Sequence, residues 1–240
     1  MSESLKNQHV LILGGSSGIG LATAKAALDD GARVTITGRS AERLATARSV
    51  LGQSVHAVAL DASDEEKTRD LISGMAALDH LFITVGALVL DAKLGPTKAE
   101  MQPALDMRFW SAVYAAKYAA PKMHSGSSIT FMSGTAGRRP LPGAAVATAS
   151  CGAVDALARA LVLDLAPIRV NTISPGYVDT PLFDGLLGEN REAVLATAAA
   201  SLPVKRIGRP EEIADAVLFL MKNGYVNGIN LAVDGGGLLV

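Results

Sequence analysis

The 240-residue sequence predicts an α/β fold: a doubly wound, seven-stranded parallel sheet with helices on both faces. Three observations predict it. Short β-branched or aliphatic runs alternate with longer Ala-rich stretches of helical pattern along the chain. The short runs are apolar on both faces, as strands buried between two helical layers must be. A glycine-rich loop, LGGSSGIG, joins the first of these runs to the first helical stretch.

Taken in order, HVLILGG (9–15) is the first strand and IGLATAKAALDDG (19–31) its helix, closed by Gly31 just past the C-cap. ARVTITGR (32–39) is the second strand, followed by the helix SAERLATARSVLG. SVHAVALDAS (54–63) is the third, with a helix from about Asp64 to Met75. LDHLFITVGA (78–87) is the fourth and leads into a long helical region from about Lys98 to Met123. SSITFMSG (127–134) is the fifth, and ASCGAVDALARALVLDLAP reads as a helix stopped by Pro167. IRVNTISPG (168–176) is the sixth; a loop with some helix follows, then the helix EEIADAVLFLMK, and GINLAVDGG (228–236) closes the sheet. With no linker, repeat or low-complexity tract, residues 1–240 read as a single domain.

Composition narrows the function. Hydrophobic residues make up 49% and charged residues 19% of the chain, the balance of a globular protein and not of a disordered one. A net charge of −1 argues against nucleic acid or an anionic membrane as the main partner. One cysteine forms no internal disulfide, which suits a reducing compartment. The N-terminal segment lacks a basic region and a long apolar run, and no uninterrupted apolar stretch approaches a membrane span. The expected location is the cytoplasm, with no membrane partner.

The glycine loop carries the first chemistry. Gly14, Gly18 and Gly20, with Ile19 between the last two, let the backbone turn sharply and approach a pyrophosphate at the N-terminus of the following helix. The alternative is a tight turn without ligand; the strand–loop–helix setting favours the phosphate site. A fold of this kind that binds NAD offers an acid to the adenosine ribose at the end of the second strand. Here that strand ends TGRS, with Gly38 in the acid's place and Arg39 and Ser40 next. A guanidinium pairs with a 2′-phosphate through a fork of N–H donors, and Ser16 and Ser17 add hydroxyls from the first loop. The expected cofactor is therefore NADP(H) in preference to NAD(H). A solvated loop arginine is the plainer alternative for Arg39.

Together with LGGSSGIG, the pieces LDAS (60–63), VGA (85–87), IRVNTISPGYVDTP (168–181), GRPEEIADAVLFL (208–220) and VDGG (233–236) make the chain resemble a compact short-chain dehydrogenase/reductase with a Rossmann-like fold. The resemblance runs from about residue 8 to the end. It implies that Asp61 meets the adenine with Ala62 beside it, and that Val85 and Gly86 pass near the adenosine ribose. It further implies that Pro175, Gly176, Val178 and Thr180 hold the nicotinamide, and that the chain forms a homodimer or homotetramer through the helices 100–123 and 150–166 and the C-terminal strand.

The same resemblance exposes a break. The family's proton-donating tyrosine, and the lysine four residues later that lowers its pKa, fall on Ala147 and Cys151. The family's serine falls on Gly134 and its asparagine on Arg108. All four expected catalytic positions are changed, and the segment AAVATASCGAV is an active-site helix without its chemistry. No tyrosine lies between Tyr118 and Tyr177, so a shifted alignment does not restore one.

Three residues are candidates for what remains. Arg108 and Arg138 either carry permanent charge toward the vacated site, where they would orient an anionic substrate or stabilise a developing alkoxide, or are a salt-bridged helix residue and a solvated loop residue. Tyr177, after the SPG turn, is either a proton donor or a pocket wall. Arg139 reads as a solvated loop residue, and Ser133, by strand alternation, as pointing to the opposite face. Cys151 reads as a small buried hydrophobe, and the four histidines, which lack metal-ligand spacing, as strand-edge or surface residues. The expected function is an atypical NADP(H)-dependent oxidoreductase that transfers hydride to an activated carbonyl or quinone. The alternative is a catalytically silent NADP(H)-binding sensor or partner protein.

Overall fold

The first apolar run forms β1 (His9–Leu13) in a computed structural model that describes residues 4–86, 94–140 and 142–240. Its side chains alternate between two cores: Val10 and Ile12 join one cluster, Leu11 and Leu13 the other. On one side β1 pairs in parallel with β2 (Arg33–Gly38), which in turn pairs with β3 (His56–Ala59). On the other it pairs with β4 (His80–Ile83), followed outward by β5 (Ser128–Met132), β6 (Arg169–Pro175) and β7 (Asn230–Val233). The sheet order β3-β2-β1-β4-β5-β6-β7 reverses direction between β1 and β4. A crevice opens beyond the carboxyl ends of strands at such a reversal.

Two helical layers cover the sheet. On one face lie α1 (Gly18–Asp29), α2 (Ala41–Leu51) and α9 (Pro210–Lys222), through Ala24 and Ala27, Leu44 and Ala47, and Ile213, Val217 and Leu220. On the other face lie α3 (Glu65–Ser73), α5 (Ser111–Ala119) and α6 (Ala145–Asp164), through Ile72, Ala112, Ala115, Val154 and Ala158. Small alanines on α1 and α5 let these helices approach the sheet closely. By length and hydropathy α6 could cross a membrane, yet it carries Asp155 and Arg159 and packs one face into the domain. Between β6 and α9 the chain forms α7 (Leu182–Leu187) and α8 (Arg191–Ser201), the helical segment anticipated there.

Three departures from the sequence expectation shape the site. The third and fourth strands are shorter than 54–63 and 78–87, because their last residues leave the ladder to line the crevice; Ala87 lies outside the described residues. The helical region after β4 begins as α4 (Lys98–Leu105), capped reciprocally by Thr97 and Glu100, with Pro103 inside it. It then widens into a π-helical turn, Asp106–Trp110, before α5 resumes. Such turns insert an extra residue and recur at functional sites. Finally α6 begins at Ala145, earlier than the reading from Ala149, so Ala147 and Cys151 sit one turn apart on the same helical face.

Candidate active site

A cleft of about 800 Å³ opens beyond the ends of β1, β4, β5 and β6. Its size is that of a site for a cofactor and a small substrate. The loop after β1 forms one wall. Gly14 has φ +98°, and a Cβ there would lie 2.8 Å from Thr84 Oγ1; the Thr84 hydroxyl donates to the Gly14 carbonyl at 3.2 Å. Gly20 points away from the cleft, and its Cβ would fall 2.1 Å from the Gly14 carbonyl oxygen. Its role is the close packing of α1 on the loop, not contact with a ligand. Apart from Gly20, every residue assigned to the cofactor lines this one cleft.

At the end of β2 the wall turns cationic. A Cβ on Gly38 would lie 2.8 Å from Ser16 Oγ and 3.1 Å from Ser16 Cβ, so a side chain at that position would crowd Ser16. Arg39 and Arg43 both face the cleft, and among the described residues neither forms a salt bridge. The nearest polar contact of the Arg39 guanidinium is Met107 Sδ, 4.0 Å away. Ser40 caps α2 by accepting from the Arg43 amide at 3.2 Å. Arg43 was not singled out from the sequence, and its first turn gives no signal by itself, because Glu42 beside it already complements the helix dipole. Asp61 accepts from the amide and hydroxyl of Ser63 at 3.0 and 2.7 Å, which fixes the turn after β3 along the cleft edge.

The opposite end is formed by the loop after β6. Val178 bridges to Gly208, which holds the segment in place: the Gly208 amide donates to the Tyr177 carbonyl at 2.8 Å and the Asp179 amide to the Gly208 carbonyl at 2.9 Å. Thr180 packs against Gly18, so the loops after β1 and β6 meet across the cleft. The Tyr177 ring stacks on Phe183, with centroids 6.0 Å apart and planes at 23°, and the pair forms an aromatic wall.

Arg108, Gly134, Ala147 and Cys151 come from three separate segments, yet all four line the cleft. A Cβ on Gly134 would touch Cys151 Sγ at 3.4 Å, so the positions are mutual neighbours. Arg108 projects from the π turn over Gly86, with Nη2 3.0 Å from where a Cβ on that glycine would stand. Its Nη1 donates to Ser150 Oγ at 2.7 Å, and Ser150 donates onward to the Ala147 carbonyl at 2.7 Å. Its buried Nε has no hydrogen-bond partner among the described residues. Burial pushes the Cys151 thiol above its usual value, and the Arg108 charge only partly opposes this, so Cys151 is a neutral thiol near pH 7. That agrees with its reading as a small buried group.

The structure corrects three sequence expectations and adds one residue that sequence reasoning missed. Arg139, not Arg138, lines the cleft, and its guanidinium donates to the Gly237 carbonyl. The single 3₁₀ turn at Thr135–Gly137 sets the directions of the two residues that follow, and sequence offers no way to choose between them. Ser133 also lines the cleft and donates to the Cys151 carbonyl at 3.4 Å, because β5 ends at Met132 and alternation no longer applies. Ser150, the anchor of Arg108, was not anticipated. His80 is buried at the start of β4, held by Ser128 and Gln8 at 2.8 Å each, and burial lowers its pKa to about 4.

Comparison with known proteins agrees with this architecture. The family model described as "Enoyl-(Acyl carrier protein) reductase" matches residues 14–237. The chain is 34% identical to the short-chain dehydrogenase/reductase ATR9 of Stachybotrys chlorohalonatus, over 98% of this chain and 99% of that one. It superimposes on the structure titled MalC Reductase/Diels-Alderase, from Malbranchea aurantiaca, with a TM-score of 0.91 at 31% identity over 98% of each chain. A small-chain dehydrogenase in complex with NADPH matches with a TM-score of 0.82 at 32% identity, over 98% of this chain and 100% of that one. Sheet order, cleft and these matches, each spanning nearly the whole sequence, establish that the chain belongs to the short-chain dehydrogenase/reductase family.

Proposed function

We infer that the protein is an NADP(H)-dependent oxidoreductase that reduces an activated carbonyl or quinone without the family's tyrosine–lysine proton relay. The observation that carries this reading is the asymmetry of the cleft. The positions assigned to the cofactor are intact and converge, while the four acid–base positions hold Arg108, Gly134, Ala147 and Cys151. The residues fit an NADP(H) cofactor: Gly38 offers no acid and Ser16 crowds a side chain there, while Arg39 and Arg43 present two guanidiniums, outside any salt bridge among the described residues, to a 2′-phosphate. The bound nicotinamide supplies hydride; the protein's share is position, exclusion of water and charge.

Within the vacated half, Arg108 is the residue assigned to charge developing on the substrate, and Tyr177 with Phe183 the wall against which it lies. Arg138 drops out of this set because it does not line the cleft. Losing a positioned general acid costs about 10²- to 10⁴-fold, so ordinary ketones are poor substrates and strongly electrophilic acceptors are favoured. Self-association into a dimer or tetramer belongs to the same reading. It is supported by Trp110 beside α5, Leu163 on α6 and Phe219 on α9, all large and exposed.

The test is NADPH oxidation against quinones, dicarbonyls and simple ketones, with cofactor binding followed by fluorescence in the same samples. Turnover confined to the activated acceptors supports the enzyme. Tight binding with no turnover in any class moves the assignment to a cofactor-sensing protein.

A further inference from the structure

Resting on that reading, we propose that Arg108 is an oxyanion receptor and that the protein donates no proton in the hydride step. The substrate is then an acceptor whose reduced form leaves as a weakly basic oxyanion: a quinone, which becomes a hydroquinone monoanion.

The argument starts from the guanidinium. It is held on a π turn, seated over Gly86 and tied through Ser150 to the backbone of α6, so its position is fixed before any substrate arrives. No carboxylate among the described residues lies within ion-pair distance of it. Asp106, two residues away, is engaged by Gln102 at 2.8 Å. A half-buried cation with a buried, unpartnered Nε is costly unless an anion comes to it. An arginine keeps its proton at any working pH, so it stabilises charge and does not act as an acid.

The hydroxyls close to Arg108 are already committed. Ser133 donates to the Cys151 carbonyl, Thr135 to the Pro175 carbonyl at 3.3 Å, and Ser150 to the Ala147 carbonyl. The Cys151 thiol is packed beneath Gly134 and Gly137. Among the described residues Tyr177 also lines the cleft, its ring stacked on Phe183; a site in which a fixed cation rather than an acid takes the charge sorts substrates by the basicity of the anion they form. A phenolic hydroxyl ionises near about 10 and water near about 15.7, with simple alcohols resembling water. A quinone product therefore survives as an anion where an alkoxide does not. The step balances without a protein proton. The acceptor takes a hydride, with both its electrons, from the reduced nicotinamide, which is oxidised. The acceptor's π pair moves onto oxygen facing Arg108, and the anion leaves and takes a proton from water.

The test has a readout independent of turnover. A nitrophenol is titrated into the protein–NADP⁺ complex, and the visible absorbance of its phenolate reports its ionisation. The expected result is an acid constant raised at least about tenfold on binding, the effect of a nearby opposite charge. Arg108→Met should abolish the shift while NADP⁺ stays bound, and Arg108→Lys should restore part of it, which guards against a fold defect in the first variant. In parallel, quinone reduction is followed in H₂O and D₂O between about pH 6 and 9, below full titration of Cys and Tyr side chains. No solvent isotope effect and a flat profile are expected.

No phenolate shift, or one that survives Arg108→Met, overturns the receptor. Turnover with a large solvent isotope effect and a falling alkaline limb means that a protein acid exists; this proposal then fails while the oxidoreductase reading stands. A phenolate shift that depends on Arg108, with no turnover of any acceptor, keeps the receptor and defeats the oxidoreductase reading.

Discussion

The two halves of the cleft are built on the same sheet but in opposite ways. The half assigned to the cofactor is framed by backbone, namely tight turns after β1 and β6 and a helix start after β2, on which Arg39 and Arg43 add a cationic wall. The half over the vacated positions rests on side chains carried by α6, the π turn and the end of β5. Backbone sites tolerate little change, because a single Cβ meets main chain. Side-chain sites can be emptied without moving the framework, as Ala147 and Gly134 show. On the proposed reading, a fold of this kind can keep a cofactor cradle while its acid–base chemistry is lost or replaced.

The largest way to break this comparison is Gly20→Val. The Cβ would meet the Gly14 carbonyl at 2.1 Å, and neither partner is a flexible side chain. The expected result is loss of NADPH binding together with destabilisation on the order of 3 kcal/mol or more, read by cofactor fluorescence and thermal unfolding. Soluble protein that binds NADPH at unchanged affinity would refute the backbone account of the cradle.

Next in size is the acid sensitivity of the opposite end of the sheet, which separates fold stability from the cleft. Burial holds the His80 pKa at about 4. The unfolded chain takes up this proton near about pH 6.5, so acid favours unfolding between the two values. Stability should fall by on the order of 3 kcal/mol across that window as pH drops. In His80→Asn, denaturant unfolding at several pH values should show a flatter slope, with NADPH affinity unaltered.

The cationic wall after β2 comes third. Arg39→Ala should weaken NADPH about 10- to 100-fold and leave NADH nearly unchanged, since one charged hydrogen bond contributes about 1.5–3 kcal/mol. Gly38→Asp should not create NADH preference by itself, because a side chain there crowds Ser16; Gly38→Asp with Ser16→Gly should. Equal losses for both cofactors in the arginine variant would place Arg39 outside the 2′-phosphate site.

How much of this was legible in the sequence follows the same division. The sheet and the glycine loop are written in local signals, namely runs of apolar residues and a glycine spacing, each read within a dozen residues, whereas the positions proposed for the cofactor after β3, β4 and β6 were named through the family resemblance. What failed depended on helical phase or on where an element stops. The π turn that aims Arg108 shows in sequence only as Pro103 nearby. Choosing between Arg138 and Arg139 required the direction of one 3₁₀ turn, and placing Ser133 required the last residue of β5. The Arg108–Ser150 bond joins residues 42 apart in the chain, beyond any periodicity. His80 lay in a strand rich in apolar residues, and its burial with Gln8 and Ser128 as partners follows from pairing, not from pattern.

The smallest expected effect tests where the two halves join. Gly86 serves both: it lines the cleft at the end of β4, and it seats the guanidinium of Arg108. A methyl at this position would stand 3.0 Å from Nη2 and 3.4 Å from Nε, and the neighbour that must yield is a side chain, not backbone. Gly86→Ala should therefore fold with a cost below about 1 kcal/mol, shift Arg108 by a few tenths of an ångström, and strain its bond to Ser150. Displacement of a positioned charge affects the transition state more than the ground state. The kcat/KM for quinones should fall about tenfold while NADPH affinity falls less, as fluorescence titration beside steady-state kinetics would show. If affinity falls as far as kcat/KM, Gly86 belongs to the cofactor half alone, and the seat of Arg108 is incidental to its charge.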